Sequence, residues 1–475
     1  MPRRRPPPRT RRSPPRRRRT ETARRAAPAP SSEFDPLVDH PALKLFRIPE
    51  TRQRILITLG LLAAYRLGFQ IPIPGINPEK VAELSRTQDG SIFGILSAFS
   101  GGAIGDAVLF ALGIMPYISA SIIFSVLGKV VPSIEALQKE GQSGQKRINQ
   151  WTRLSVVPIS IVQAIVIWFG VFRSIPDIVA PGHEAGLGLM LVVVVALTAG
   201  ALLCMWFGEL ISEYGVGNGA SLIIMAGIIA NMPTAMRMLW VNDQSSAWST
   251  IAMLGLIWCV MVFVVVYVQK GERRIPIQYA RLQRGRRVYG GQRHFLPLKV
   301  NMAGVMPIIF ASTIFIVPTM LFSALGWKYW EGVFGDVSGF TYVALQMVLV
   351  IFFAFFWNNL MFRPEEIADN LREHGSFIPG IRPGVKTAEF LKQTLTRITL
   401  AGAVFLAILS VLPNFITAGN HDISQRMAYF LGGTSVLIVV GVAMDVVDKL
   451  NAQLVMRNYE GFMKGGTGPN WTRRS

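Results

Sequence analysis

Uncharged apolar runs of membrane-spanning length constrain the fold of this chain more than any other feature. The run from Val108 to Leu127 holds twenty residues without a charge, which is the length that an α-helix needs to cross about 30 Å of hydrocarbon. Comparable runs recur along the 475 residues, of which 51% are hydrophobic and 16% are charged. Since soluble domains usually carry about 25% charged residues, the sequence predicts an all-α membrane protein that crosses the bilayer many times.

Counting such runs predicts ten transmembrane helices. Their expected bounds are Ile55–Ile71, Val108–Leu127, Leu154–Phe172, Leu187–Trp206, Ala220–Met238, Thr250–Val268, Val305–Phe322, Thr341–Met361, Ile398–Leu412 and Ala428–Val447. A unit of five spans inverts when it is repeated in tandem, so we expect two pseudo-symmetric inverted halves with a central path between them. We assign 34–238 to the first half and 239–447 to the second, with cytoplasmic tails at 1–33 and 448–475.

Basic residues are concentrated in alternate loops and therefore predict the orientation. The loop after the sixth predicted span carries nine basic residues against Glu272 alone: Lys270, Arg273, Arg274, Arg281, Arg284, Arg286, Arg287, Arg293 and Lys299. The positive-inside rule places this side, and with it both termini, in the cytoplasm. Because nine basic residues exceed what orientation requires, we also interpret loops 269–300 and 363–397 as docking surfaces for ribosomal RNA or an acidic partner.

The N-terminal tail is a low-complexity segment of arginine and proline. Residues 3–25 contain twelve arginines and one glutamate, and such a composition cannot bury a core. We expect a disordered cytosolic arm that is held to anionic lipid. Contact with ribosomal RNA is the alternative.

Several kinds of chemistry lack their usual residues. The ionisable residues Arg66, Glu209 and Asp445 lie toward the ends of predicted spans, whereas ion-coupled transporters and proton pumps usually need ionisable groups near the middle. The five histidines are scattered through loops, and the sequence has no Walker A motif. We therefore expect no metal, no cofactor and no enzymatic activity.

A short apolar segment precedes the second predicted span. Ser91–Gly105 is too short and too rich in glycine to cross the membrane, yet it carries four large apolar residues, Phe93, Ile95, Leu96 and Phe99. Irregular backbone at membrane depth is tolerated only when it is buried in protein or lines a cavity. The stretch therefore suggests a cavity with a movable insert.

Long motifs along the chain resemble the SecY family, the pore subunits of the Sec protein-conducting channel. They include FALGIMPYISASII (Phe110–Ile123), WFGELISEYGVGNGASLIIMAGI (Trp206–Ile228), LPLKVNMAGVMPIIFAS (Leu296–Ser312), ADNLREHGSFIPGIRPG (Ala368–Gly384) and FLGGTSVLIVVGVAMD (Phe430–Asp445). The resemblance extends over about residues 40–465. Two features depart from the family pattern: Ser125 stands where the family usually has glutamine, and the arginine–proline tail is additional.

The resemblance implies an hourglass-shaped pore whose waist is a ring of aliphatic side chains, with Ser91–Gly105 as the plug that closes it. The matching ring positions are all isoleucine: Ile114, Ile118, Ile224, Ile228, Ile309 and Ile438. Stiff, apolar, β-branched side chains can seal around a passing chain and oppose wetting at rest. The alternative is that these are ordinary helix-packing residues.

The resemblance also implies a lateral gate, between spans two and three on one side and seven and eight on the other, through which apolar segments enter the lipid. Three polar residues on or beside those helices, Ser121, Asn301 and Ser312, are expected to hydrogen-bond across the closed gate. The IRPG segment matches a family segment that the SecA motor needs, and Arg382 is its expected main contact, presented outward by a Pro-Gly turn. In the basic loop 269–300, the residues expected to contact the ribosome or SecA are Arg281, Arg284, Arg286 and Arg287.

The expected function is that of a passive protein-conducting channel in the inner (cytoplasmic) membrane. Its implied partners are SecE and SecG as companion subunits, SecA, the ribosome, preproteins that bear signal peptides, and membrane lipids. A secondary transporter with inverted repeats is the alternative, against which the aliphatic ring and the plug count. An intramembrane protease is disfavoured because paired catalytic residues are lacking.

Overall fold

The computed structural model describes residues 49–77, 80–81, 107–170, 172, 179, 186–242, 247–279, 282–284, 287–289, 293–302, 304–324, 326–336, 339–419 and 432–464. We call residues 49–242 the first half and residues 247–464 the second half. The helices of the first half are α1 (Pro49–Leu67), α2 (Met115–Val130), α3 (Pro132–Lys139), α4 (Gln142–Gly170), α5 (Leu187–Tyr214) and α6 (Gly219–Asn242). Those of the second half are α7 (Ala247–Lys270), α8 (Met306–Ala324), α9 (Lys328–Gly335), α10 (Phe340–Met361), α11 (Pro364–Glu373), α12 (Val385–Gly419) and α13 (Gly433–Lys464).

Several of these helices have the length and composition of membrane spans. Within the described residues, five pass on both counts: Gln142–Phe169, Leu187–Tyr214, Ile251–Lys270, Phe340–Glu373 and Val385–Asn414. The number rises to six when Met115–Gly128 and Pro132–Lys139, which meet at a 95° bend, are counted as one span. A mostly helical protein with several membrane spans is thus confirmed, whereas the count of ten and the inverted symmetry stay predictions.

The second predicted span begins later than the sequence analysis expects. Helix α2 starts at Met115, and the preceding residues from Val108 are not helical; Val108 forms an antiparallel bridge with Pro72. Two backbone hydrogen bonds extend this pairing, from the N–H of Ile73 to Ala107 and from the N–H of Leu109 to Ile71, each at 2.9 Å. A uniform apolar run does not reveal where a helix starts, because hydropathy is the same for a buried extended segment and a buried helix.

Gly113 and Pro116 explain where α2 does start. Gly113 has a φ of +53°, a left-handed conformation that glycine adopts at little cost and that interrupts a right-handed helix. Pro116 occupies the first turn of α2, where its missing N–H and its fixed φ are tolerated. Together the two residues fix the helix start at Met115.

Helix α5 lies at the centre of the first half. Its buried face includes Val193, Leu197 and Ala201, which pack with Leu112, before α2, and Trp168, from α4. These α5 residues recur at a spacing of four, the period of one helix face. A second apolar cluster fills the second half and joins α7, α8, α10, α12 and α13 through Val265, Ile308, Val350, Leu406 and Leu437.

Small antiparallel sheets are formed by the loop after α7 together with a short strand between α11 and α12, where the sequence analysis expects an all-α chain. Strands β1 (Glu272–Tyr279), β4 (Arg293–Lys299) and β5 (Ser376–Phe377) form one sheet in the order β4-β1-β5, and β2 (Leu282–Arg284) pairs with β3 (Arg287–Tyr289). Ile275 and Leu298 are buried against Leu391 and Leu395 of α12. The all-α expectation is therefore too narrow, and the three-stranded sheet packs against the N-terminal part of the long helix α12.

Candidate channel waist and docking surfaces

Five of the six predicted ring residues belong to one apolar cluster between the halves. Ile114, Ile118, Ile228 and Ile438 are buried members of this cluster, and Ile224 packs against it. These residues come from the start of α2, from α6 and from α13, so three separate parts of the chain converge. We call this group with its neighbours the isoleucine cluster.

Ile309, the sixth predicted ring residue, lies on α8 and is 5% exposed. Its helix neighbours Val305, Met306 and Phe310 pack against the isoleucine cluster, whereas Ile308 belongs to the second-half core. Helix α8 therefore borders both groups, and Ile309 stands at their boundary. Four helices thus bring apolar side chains to one region, and their role as a ring around a pore stays a prediction.

Aromatic side chains, which the sequence analysis does not single out, surround the isoleucine cluster. Tyr65 and Phe110 stack with ring centroids 5.7 Å apart, and Phe69 meets Tyr65 edge-on at 5.1 Å. From the second half, Phe310 lies 5.6 Å from Trp357 of α10. Such pairs stabilise packing beyond the area that they bury, so the cluster is held by rings from both halves.

The predicted plug residues Phe93, Ile95, Leu96 and Phe99 lie outside the described residues. The predicted gate residues are described, and the hydrogen bonds shown for two of them are local. The amide of Asn301 donates to the Gly304 carbonyl at 3.2 Å, and the Ser125 hydroxyl donates to the Ser121 carbonyl at 2.7 Å. Ser312 is buried. Their pairing across a gate stays a prediction.

Ser125, where the resemblance leads the sequence analysis to expect glutamine, satisfies its hydroxyl within its own helix. A serine that bonds four residues back takes up its hydrogen-bonding capacity locally. The substitution leaves α2 without a long polar side chain at this position.

Charged side chains join the ends of several helices, and sequence reasoning misses these contacts. Arg363, just after α10, contacts Glu366 of α11 and also Glu135 of α3, with 3.3 Å between Nη1 and Oε1 of Glu135. Lys139 lies 3.2 Å from the same carboxylate. The Lys139 ammonium, and beyond it the Arg363 guanidinium, hold the pKa of the Glu135 carboxyl below its usual value.

Glu209, which lies toward one end of α5, is also paired. Its Oε1 is 2.5 Å from Nε of Arg153 on α4, so the charge is compensated within the first half. The paired charge lies near one end of α5, and the middle of the helix is apolar. In the described residues, no group of three or more histidine, cysteine, aspartate or glutamate side chains is arranged to hold a metal ion.

The predicted docking arginines lie at two places. Arg284 and Arg287 are paired neighbours across the β2–β3 ladder, at its turn end, while Arg281 and Arg286 fall outside the described residues. Arg382 is exposed, and its carbonyl accepts a 2.9 Å hydrogen bond from the Thr387 hydroxyl at the start of α12. Gly384 follows with a φ of +96°, so this turn is fixed to the start of the helix, and a contact of Arg382 with a partner stays a prediction.

The family model for SecY matches residues 108–447. The chain belongs to the SecY family. Protein translocase subunit SecY of Streptomyces coelicolor is 40% identical over 440 residues, which covers 89% of this chain and 99% of that protein. The subunit of the same name from Mycobacterium tuberculosis H37Rv is 40% identical over 440 residues, covering 88% of this chain and 98% of that protein.

Solved channel structures share the fold. The structure described as a protein conducting channel aligns with a TM-score of 0.57 at 18% identity, over 88% of this chain and 98% of that one. Sec61 from the canine ribosome-channel complex of the endoplasmic reticulum aligns with a TM-score of 0.52 at 16% identity, over 88% and 97%. Because SecY is a family of translocation-channel subunits, the expectations of a membrane channel and of no enzymatic activity are confirmed.

Proposed function

We propose that this SecY family member forms the pore of a protein-conducting channel, through which unfolded secretory polypeptides cross the membrane between its two halves. The observation that supports this proposal is that isoleucines from α2, α6 and α13 pack in one cluster, with residues of α8 beside them. A waist made of stiff apolar side chains excludes water and ions at rest and parts around a chain. Hydrophobic segments leave sideways into lipid through a gate between the halves.

The proposed architecture is ten spans in two inverted halves, with Ser91–Gly105 as a plug. Both termini lie in the cytoplasm, the membrane is the inner membrane of a bacterium, and SecE and SecG complete the complex. The asymmetric distribution of basic residues supports this orientation. In this architecture the chain consists of a cytoplasmic tail at 1–33, a first half at 34–238, a second half at 239–447 and a second cytoplasmic tail at 448–475.

The energy for transport comes from outside the chain. A translating ribosome, the SecA motor or the proton-motive force supplies it, since the described spans contain no cluster of ligands or carboxylates that could couple to an ion. The β2–β3 arginines support docking of ribosomal RNA, and the exposed Arg382 supports a contact with SecA. Ribosome-bound relatives of this fold include the canine Sec61 channel and the yeast Ssh1 complex.

Ion conductance across a bilayer that holds the purified complex tests the proposal. We expect the intact channel to be tight and a channel without residues 91–105 to leak. A third channel has Ile118 and Ile228 changed to glycine, which removes two stiff apolar side chains from the waist and should leak as well. Gly255→Ala, at an open position of α7, is the control and should stay tight.

Three outcomes separate the parts of this proposal. Tightness after plug deletion with leakage from the isoleucine variant would show that the waist seals alone. Tightness of both variants would contradict an apolar waist at this cluster. A complex that conducts only a small solute, coupled to an ion gradient, would favour the secondary transporter instead.

A further inference from the structure

An ion pair connects the two halves at the ends of their helices. Arg363 of the second half reaches Glu135 of the first, although 228 residues separate them in the chain. By contrast, four ion pairs elsewhere among the described residues each lie within one half: Arg153–Glu209, Arg274–Glu272, Lys386–Glu389 and Lys449–Asp445. The Glu135–Arg363 pair is therefore suited to hold the halves together.

The two residues of this pair lie just beyond the ends of α2 and α10. We call the boundary between these two helices the α2–α10 seam. Glu135 lies five residues beyond the end of α2, and Arg363 lies two residues beyond the end of α10. The same two helices both contribute to the isoleucine cluster, which includes Ile118 and Ile122 of α2 and Trp357 of α10. Separating α2 from α10 along this seam would separate the two charges.

We propose that the Glu135–Arg363 ion pair is a tie that holds the α2–α10 seam closed and sets how hydrophobic a signal segment must be to open it. This inference rests on the proposed function, in which hydrophobic segments leave through a gate between the halves. Both side chains are partly exposed, at 31% for Glu135 and 29% for Arg363. A pair so exposed is weak and shifts the closed-to-open ratio by about two- to five-fold.

A weak ion pair is suited to setting a threshold for the hydrophobicity of signal segments. A strong one would keep the seam closed against every signal segment, whereas a few-fold bias is overcome by the burial of one or two additional apolar side chains in lipid. The tie would thus matter for weakly hydrophobic signals and not for strong ones. Such a charge pair selects among substrates without touching the chain that passes through the waist.

A double-mutant cycle in the intact channel complex tests the tie. The variants are Arg363→Gln, Glu135→Gln and the double variant. In each single variant the remaining charge keeps a second partner, Lys139 for Glu135 and Glu366 for Arg363, so neither is left isolated. The control is Lys386→Gln, which removes an exposed ion pair within α12.

The readout is secretion of reporter preproteins whose signal cores contain decreasing numbers of leucines, each normalised to a strong signal. We expect both single variants to secrete the weak-signal reporters about two- to five-fold better than the unmodified channel. The double variant should equal either single variant, and Lys386→Gln should change nothing. No gain in the single variants, or independent gains that multiply in the double variant, would overturn the tie.

Salt provides a second test that needs no substitution. Because exposed ion pairs are screened by salt, the normalised secretion of weak-signal reporters should rise with ionic strength in the unmodified channel and stay flat in Arg363→Gln. Equal salt responses in the two channels would contradict the tie. Failure to secrete even strong-signal preproteins in the unmodified complex would instead count against the proposed function.

Discussion

Thr58 connects two parts of the first half, α1 and the loop between α5 and α6, through a single hydroxyl group. It donates to the Arg54 carbonyl at 2.9 Å within α1 and accepts from the buried N–H of Val216 at 3.1 Å, in the loop between α5 and α6. Only 8% of this residue is exposed. A buried backbone donor has few alternatives, so the position of α1 depends on this one oxygen.

Replacing Thr58 by valine should destabilise the channel. Valine has the same shape but cannot accept a hydrogen bond, so the N–H of Val216 would be left unpaired, at a cost of about 1–3 kcal/mol. Thermal unfolding of the detergent-solubilised complex measures the effect as a lower midpoint. Thr396→Val is the control, because its exposed hydroxyl donates to Lys392 within its own helix; equal shifts in both variants would contradict the role of Thr58.

A second polar contact joins α10 to α12 inside the second half. The Asn358 amide donates to the Thr399 hydroxyl, and both residues are buried. We expect Thr399→Val to lower the unfolding midpoint modestly, since hydrogen bonds between membrane helices contribute about 0.6 kcal/mol on average. A loss as large as that of Thr58→Val would show that Asn358 has a further role.

At the scale of elements, α5 approaches its neighbours through glycines. A Cβ atom at Gly200 would lie well inside contact distance of the Leu109 carbonyl oxygen, and one at Gly219 would meet the Gly208 carbonyl. Side chains at these positions would push α5 away from the extended segment before α2 and from the start of α6. Small residues at helix contacts are how membrane helices pack closely.

Gly200→Ala should therefore destabilise the first half, by about 1–3 kcal/mol from overpacking. In a helix without such a contact, the same change is favourable by about 1 kcal/mol. Gly255→Ala in α7 is the matched control, because a Cβ atom added there would have no neighbour within 4 Å. Unfolding midpoints measure both variants, and stabilisation by Gly200→Ala would show that α5 can shift without cost.

For the whole molecule, the basic hairpin of β2 and β3 is the surface that we propose for ribosome docking. Arg284 and Arg287 pair across the ladder at the turn end of this hairpin, while the three-stranded sheet next to it in the chain packs against α12. The sheet therefore fixes β1 and β4, the strands on either side of the hairpin in the sequence, to a long helix. Docking at this site should depend on charge and therefore on salt.

Reversing both charges, with Arg284→Glu and Arg287→Glu, should lower ribosome affinity at least about tenfold and reduce its salt dependence. Co-sedimentation of the purified complex with ribosomes at several salt concentrations measures both quantities. The double variant Lys146→Glu and Arg147→Glu, at two exposed basic residues in the first turns of α4, carries the same change in net charge and is the control. An equal loss in the control would assign binding to overall charge and not to the hairpin.

Sequence reasoning works best where composition is uniform. Helix α10 is predicted at Thr341–Met361 and observed at Phe340–Met361, because its apolar run ends at Arg363 and Pro364. The prediction is less accurate for α12, expected at Ile398–Leu412 and observed at Val385–Gly419. The amphipathic start of α12 carries Lys386 and Glu389, which hydropathy assigns to a loop although the helix already begins at Val385.

The contacts between distant residues could not be predicted from the sequence. The isoleucine positions come from resemblance to a family, since apolar periodicity alone does not distinguish a pore-lining residue from a packing one. The Glu135–Arg363 pair forms because the bend after α2 and the end of α10 lie close together. The sequence of either segment gives no information about the position of the other. Gly113 and Pro116 do indicate in the sequence where α2 starts. The long uncharged run around them nevertheless predicts a helix that begins earlier, at Val108.

The 228 residues between Glu135 and Arg363 also represent an interval of time. At about 5–20 residues per second, translation needs roughly 11–46 s to reach the second residue after the first has been made. During that interval the first half stands in the bilayer with one face of its isoleucine cluster uncovered. Newly made protein must therefore be sheltered on that side, by lipid or by an assembly factor, until its own C-terminal portion arrives.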